Sequence, residues 1–148
     1  MRFEPLPELA ATEILAQQIA SLVKRGDVLA LSGGLGAGKT TFARALISNL
    51  LGKPTEVPSP TYTLVQTYQG PDFPIWHFDL YRLKEPCEVF ELGWEDTYDG
   101  LMVVEWPDRA GSHLPRYRLD VDIQHSTESR IARLAGRGED WQRRLDEW

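Results

Sequence analysis

Residues Leu31 to Leu46 read LSGGLGAGKTTFARAL. Within them Gly33, Gly38, Lys39 and Thr40 stand at the spacing G-x-x-x-x-G-K-[ST]. The preceding VLALSG is a continuous apolar run and predicts a buried strand. The residues from about Lys39 to Leu51 predict a helix closed by Gly52 and Pro54. A strand, a glycine loop and a helix N-terminus, in that order, make a cradle for phosphate. Glycines let backbone N–H groups turn inward and approach phosphate oxygens without side-chain interference. The helix N-terminus adds a field that favours anions. In such a cradle Lys39 reaches the β- and γ-phosphates of a nucleotide, and the Thr40 hydroxyl ligates Mg²⁺. The competing reading is a glycine-rich strand-to-helix turn with no ligand.

A phosphate loop of this kind needs an acid at the end of a neighbouring strand. LMVVEWP offers Glu105 after four apolar residues, on a strand that Pro107 stops. A carboxylate is poor decoration for a strand buried on both faces, so Glu105 is a candidate metal-holding acid. Its alternative is a carboxylate that has simply reached solvent at the strand end. Trp106 follows, and either walls the pocket against water or packs as an ordinary aromatic. HFDLYR offers a second acid, Asp79, to position or deprotonate an attacking water or to hold Mg²⁺ indirectly. Asp79 is otherwise a turn-former. His77, two residues earlier, reads as a hydrogen-bonded structural histidine. Arg82 either reaches a phosphate or pairs with a surface acid. SPTYTL lies between the loop helix and the acid strands, in the interval where nucleotide switches place a Ser or Thr. Ser59 and Thr61 are the candidates there, in a turn stiffened by Pro58 and Pro60.

Elsewhere, Ala11, Leu15, Ile19 and Leu22 repeat at helical spacing and predict a helix from Glu8 to Lys24. A strand is expected with Tyr62, Leu64, Gln66 and Tyr68 on one face, and PIWHFDLYRL is expected to be a second strand running into a loop. Pro86 suits the first turn of a helix that Gly93 ends. RYRLDVDIQHSTESRIARLAG alternates on both sides of a polar turn and predicts a hairpin. The tail places Trp141, Leu145 and Trp148 on one helical face. Strands and helices alternate early and antiparallel pairing comes late, which predicts an α/β sandwich with a mixed sheet flanked by helices. The 148 residues suit one domain, with residues 139–148 as a helix that docks either on the domain or on a partner.

No apolar run is long enough to span a bilayer. The opening MRFEPLPELA has acids and prolines where a secretion signal has a basic patch and an apolar run. Cys87 is the only cysteine, so no internal disulfide forms and a cytoplasmic home is expected. The net charge of −6 does not suit a chain that grips nucleic acid by itself, although the arginines after Arg109 form a local group. Any nucleic acid in its pathway is therefore expected to be held mainly by a partner.

GGLGAGKTTFARAL, VPSPTYTLVQTY, HFDLYRL and VVEWPDR, in this order and spacing, resemble the bacterial TsaE (YjeE) family. The likeness runs from about residue 8 to Gly138. It implies a single-domain P-loop NTPase fold that binds ATP or ADP with Mg²⁺. It implies work with the TsaB and TsaD proteins, which install threonylcarbamoyl on an adenosine beside the anticodon of tRNA. Contact with tRNA would be only indirect. The resemblance assigns phosphate contacts to Gly36, Ala37, Gly38, Lys39, Thr40 and Thr41, and Mg²⁺ to Thr40 and Glu105. Asp79 becomes a catalytic or metal-shell acid, and Ser59 to Thr61 a switch. Thr12 matches a threonine beside the family's nucleotide, or else it caps a helix. Arg130 on the hairpin approaches the nucleotide too. One departure is Gly34, where the family often has Asp, which removes one carboxylate near the loop.

Two other nucleotide chemistries use the same loop. A GTPase fits DRAG, Asp108 to Gly111, but Glu105 already fills the strand end and the sequence holds no N-K-x-D stretch. A small-molecule kinase needs an acceptor pocket and an arginine-bearing lid, which RLAGRGEDWQRR imitates only with packing-like spacing. A nucleotide-dependent adaptor is the non-enzymatic reading. Arg82 and Arg109 are the internal candidates for an arginine finger. Without an evident one, slow hydrolysis that a partner stimulates is expected.

Overall fold

The computed structural model describes residues 1–34, 38–57, 64–125 and 130–148. Its strands are β1 (Arg2–Leu6), β2 (Val28–Ser32), β3 (Val65–Gln69), β4 (Pro74–Asp79), β5 (Leu101–Glu105), β6 (Arg118–His125) and β7 (Arg130–Arg137). The helices are α1 (Leu9–Ala20), α2 (Lys39–Leu51) and α3 (Glu139–Glu147). Tighter 3₁₀ segments span Pro86–Leu92, Trp94–Asp99 and Pro107–His113.

All seven strands form one mixed sheet in the order β1-β7-β6-β2-β5-β4-β3. β2 runs parallel to both β5 and β6, and β4 runs parallel to β5. The carboxyl ends of β2, β4 and β5 therefore lie along one edge, with Leu31 and Asp79 both opposite Glu105. Ligands of open α/β sheets bind beyond such an edge.

Strand periodicity divides the core in two. Leu29, Leu31, Ile75, Leu101, Val103, Leu119 and Val121 pack with Leu15 and Ile19 of α1, Phe42 and Leu46 of α2, and Trp141 and Leu145 of α3. The alternate residues Val28, Phe78, Met102 and Val104 pack with Val89, Trp94 and Ala110 of the 3₁₀ segments. Three helices thus cover one face, and the other is covered beside β2, β5 and β4 by the shorter segments. The mixed sheet with flanking helices, the antiparallel hairpin and the terminal helix are as the sequence predicts.

α1 is shorter than expected, because Ser21 ends it and Gly26 turns the chain with φ at +91°. Leu22 and Val23 still pack on the core from the loop beyond. Thr12 does not cap this helix. Glu8 holds the cap position, and Thr12 is buried inside α1. The strand expected to include Tyr62 and Leu64 starts later, at Val65. Leu64 has φ at +66°, and its side chain joins the Phe78 cluster while Tyr68 joins the other. Tyr62 lies outside the described residues. β1 carries no strand signal in the sequence; among the described residues it is an edge strand paired with β7, where Pro5 costs little.

The terminal helix docks on its own domain. Trp141 is buried, and a Cβ on Gly136 would lie 2.8 Å from the Trp141 carbonyl carbon. Glycine is what lets α3 lie so close to β7. Arg144 is buried, donates to Asp27 at 2.6 and 3.0 Å and to the Leu22 carbonyl at 3.1 Å, and also pairs with Asp140. Burial opposes its charge, but the hydrogen bonds to Asp27 and Asp140 outweigh that and raise its pKa. Arg144→Ala is expected to cost about 3 kcal/mol in a urea denaturation series, because it leaves Asp27 unpaired in a poorly hydrated place. The Asp140 carboxyl is held below its ordinary value by its hydrogen bond to Arg144. That small, largely exposed contribution is present at neutral pH and fades as pH falls through the depressed value.

Candidate functional site

The cradle is built where β2 gives way to α2. Gly33 has φ at +134° and Gly38, which precedes the helix, has φ at +107°. Both lie in the left-handed region, where a side chain would be strained. A Cβ at Gly38 would also meet the Arg130 guanidinium at 3.4 Å. The hairpin thereby brings Arg130, at the start of β7, against the loop.

Lys39 opens α2 and is only 5% exposed. Its Nζ donates to the Gly33 carbonyl at 2.6 Å and to the Gly34 carbonyl at 3.3 Å. It also sits 3.8 Å from the centroid of the Trp106 ring. Burial lowers the pKa of this ammonium below its ordinary value, and Glu105, Asp79, Asp108 and Asp122 pull the other way. The Trp106 ring thus packs between the Lys39 ammonium and Tyr81, 4.9 Å from the Tyr81 ring. Its backbone is left-handed, with φ at +56°. The Pro107 that follows begins the next 3₁₀ segment.

Glu105 ends β5 at 2% exposure. Its buried place excludes the solvent-exposed strand end that the sequence also allowed. Oε1 accepts from the Thr40 hydroxyl at 3.2 Å. Oε2 lies 2.6 Å from His77 Nε2, and the imidazole is fully buried. Asp79 ends β4 directly beside Glu105 and is 5% exposed. Its Oδ1 accepts from the Tyr81 backbone N–H at 3.0 Å, so it organises a turn as well as facing the site. Leu80 N–H donates to the Glu105 carbonyl at 3.1 Å and ties the two strand ends together.

A magnesium ion fits this donor set. A hydroxyl and two carboxylates are hard oxygen ligands, and Mg²⁺ commonly takes only one or two carboxylates beside phosphates and water. Among the described residues no group of three His, Cys, Asp or Glu side chains makes a metal cage by itself.

Lys39, Thr40, Asp79, Glu105, Trp106 and Arg130 are brought to one end of the sheet. Thr41 faces a groove between α1 and α2, of about 790 Å³, whose lining includes Leu9, Glu13 and Arg44. Thr12 stands in α1 and is not among the lining residues. Gly36, Ala37, Ser59 and Thr61 lie outside the described residues. The approach to SPTYTL is anchored, since Arg44 donates to the Val57 carbonyl at 2.8 Å. Arg82 and Arg109 occupy exposed positions after β4 and β5, with Arg109 5.8 Å from the Tyr81 ring. The bond from His77 to Glu105 was not anticipated. Only its type of role, a hydrogen-bonded histidine, was legible.

A glycine loop beside two strand-end acids does not by itself name a family, and comparison with known proteins narrows it. The family described as threonylcarbamoyl adenosine biosynthesis protein TsaE matches residues 6–134. The chain belongs to the TsaE family. A relative from Rickettsia felis, a tRNA threonylcarbamoyladenosine biosynthesis protein TsaE, is 40% identical over 120 residues, covering 80% of this chain and 70% of the relative. The TsaE protein of Bacillus subtilis is 37% identical over 117 residues, 78% of this chain and 72% of its own length. The crystal structure of Bacillus subtilis YdiB superposes with a TM-score of 0.80 at 29% identity, covering 99% of this chain and 92% of that one. The TsaE match ends at Leu134, so α3, which packs against β7, lies beyond it. Among the described residues no helix is long and apolar enough to cross a membrane.

Proposed function

We propose that this TsaE-family chain binds ATP with Mg²⁺ and hydrolyses it slowly. The hydrolysis would support the assembly that puts threonylcarbamoyl on the adenosine next to the tRNA anticodon. The carrying observation is the convergence of Lys39, Thr40, Asp79 and Glu105 at one sheet end, directly behind the glycine loop. Family membership supports the pathway, and the arrangement of the site supports the chemistry.

Each residue has a role in that reading. The Lys39 ammonium leaves the Gly33 and Gly34 carbonyls and engages the β- and γ-phosphates. The Thr40 hydroxyl and Glu105 carboxylate would hold Mg²⁺, which neutralises charge developing on the phosphate oxygens. Gly36, Ala37, Gly38 and Thr41 would donate to phosphates from the loop and the first turn of α2. Asp79 orients the attacking water or takes its proton. Trp106 shields the lysine from water, and Arg130 approaches the nucleotide from the hairpin. Thr12 would lie by the nucleotide and Thr61, with Ser59, would sense its γ-phosphate. Phosphoryl transfer is mostly positioning and charge stabilisation. With Arg82 and Arg109 on exposed positions, a lone chain is a poor catalyst and a partner completes it. TsaB and TsaD are the proposed partners, and tRNA is met through them.

Competitive titration of a fluorescent ATP analogue tests the nucleotide directly. ATP and ADP should displace it in the presence of Mg²⁺, and GTP should compete poorly. Stronger displacement by GTP would favour a GTPase, and transfer of phosphate to a small acceptor instead of water would favour a kinase.

A further inference from the structure

We propose that His77 is a positioning residue for Glu105, fixing which carboxylate oxygen faces the metal and the phosphates. The inference rests on the Mg²⁺–nucleotide reading of the site and assigns to it a residue that the phosphate-loop pattern does not contain.

The two oxygens of Glu105 have different neighbours. Oε2 is 2.6 Å from His77 Nε2, and Oε1 is 3.2 Å from the Thr40 hydroxyl. A carboxylate that ligates a cation is ionised and has no proton to give. In that state Nε2–H is the donor and Oε2 the acceptor. The short contact holds one oxygen towards the sheet and leaves the other turned towards Thr40. A lone glutamate on a strand end would keep rotational freedom about its side-chain bonds, and freezing them on metal binding costs side-chain entropy. His77 removes that cost beforehand. Ligating carboxylates are commonly held by such outer hydrogen bonds, and their loss typically costs about 10- to 100-fold in metal affinity or activity.

The imidazole's setting argues against a packing role alone. His77 is fully buried on β4, opposite Gln66 on one side and Val103 on the other. Its strand neighbours on the same face are Ile75 and Asp79. Among the described residues Nδ1 has no hydrogen-bond partner. An apolar residue of similar size would fill this place without burying a polar ring. Among the described residues the ring's hydrogen-bonded contact is to the acid of the site.

Two variants separate positioning from bulk. His77→Phe keeps a ring of similar size and removes the donor. His77→Gln places an amide N–H where it can reach Glu105. ADP affinity is measured by calorimetry across a Mg²⁺ series and in EDTA, with thermal melting as the fold control. In His77→Phe the Mg²⁺ concentration giving half of the affinity gain should rise about tenfold or more. Its affinity in EDTA should stay that of the wild type, and His77→Gln should recover most of the loss. A ¹⁵N-edited spectrum of the wild-type imidazole should show the Nε2–H tautomer, with a strongly deshielded proton that moves in Glu105→Gln. An unchanged Mg²⁺ midpoint in folded His77→Phe, no recovery in His77→Gln, or an Nδ1–H tautomer would overturn the proposal. If the wild type's own affinity ignored Mg²⁺, the metal reading itself would fail and His77's role with it. The failure would then lie in the wild type and not in the variant.

Discussion

Lys39→Ala is expected to weaken ATP binding by about 100-fold or more, with the fold intact. Two charge-assisted contacts to phosphate oxygens are each worth roughly 1.5 kcal/mol, and about 3 kcal/mol corresponds to that factor. The same substitution should not lower the stability of the ligand-free protein by a comparable amount. Lys39 is buried as a cation, and its pKa is lowered by that burial from the ordinary 10.5. Below the lowered value both folded and unfolded chains carry the proton, and folding bears the cost of the buried charge. As pH rises through that value the folded chain releases the proton while the unfolded chain keeps it. Stability therefore rises with pH until, above 10.5, the unfolded chain has released its proton too. The difference in urea midpoint between wild type and Lys39→Ala, followed from neutral to alkaline pH, should move in favour of the wild type. Nucleotide affinity falling without loss of stability would mark Lys39 as a functional rather than a structural cation. Equal ATP affinity in the two proteins would remove the loop from the account.

The acids should separate binding from turnover. Glu105→Gln keeps the shape beside His77 and Thr40 but removes the charge that a cation needs. Asp79→Asn can keep the turn, because its amide oxygen can still accept from Tyr81 N–H. Each is expected to slow phosphate release by about 100-fold or more, the scale on which general acid–base and electrostatic contributions act. Affinity for ADP without Mg²⁺ should change little in either. The two should differ in the metal. Glu105→Gln should also blunt the dependence of affinity on Mg²⁺, and Asp79→Asn should largely preserve it. Single-turnover phosphate release at saturating ATP reads both effects. Undiminished rates in both variants would contradict the two-acid scheme.

Much of this was legible because local signals and tertiary demands agreed. The apolar run before the glycine loop reads as a buried strand and is one, and α2 begins and ends where its sequence signals place it. Pro107 and Gly93 end their elements for steric reasons that need no partner. Where pairing decides, the sequence was silent. RFEPL carries two charges and a proline, and it is a strand only because β7, over a hundred residues away, offers an edge. Leu64 takes a left-handed backbone that no leucine prefers, so the alternation expected from Leu64 to Tyr68 breaks. The WEDTYD segment has neither helical nor strand periodicity, and its 3₁₀ turn follows from packing Trp94 on Phe78. In the site, Glu105 and Asp79 stood out as carboxylates after apolar runs. Their adjacency depends on strand order, which spacing along the chain does not encode. The contacts of His77 with Glu105 and of Lys39 with Trp106 exist only once β4, β5 and α2 are assembled.

On the proposed reading, nucleotide held at this loop is hydrolysed in the service of a partner assembly. Phosphate release from ATP by the purified chain, measured alone and with TsaB and TsaD proteins, tests it most directly. Slow Mg²⁺-dependent release by the chain alone is expected, with marked stimulation by the partners and loss of both in Lys39→Ala. Release that is unaffected by the partners, or that survives Lys39→Ala, would contradict it.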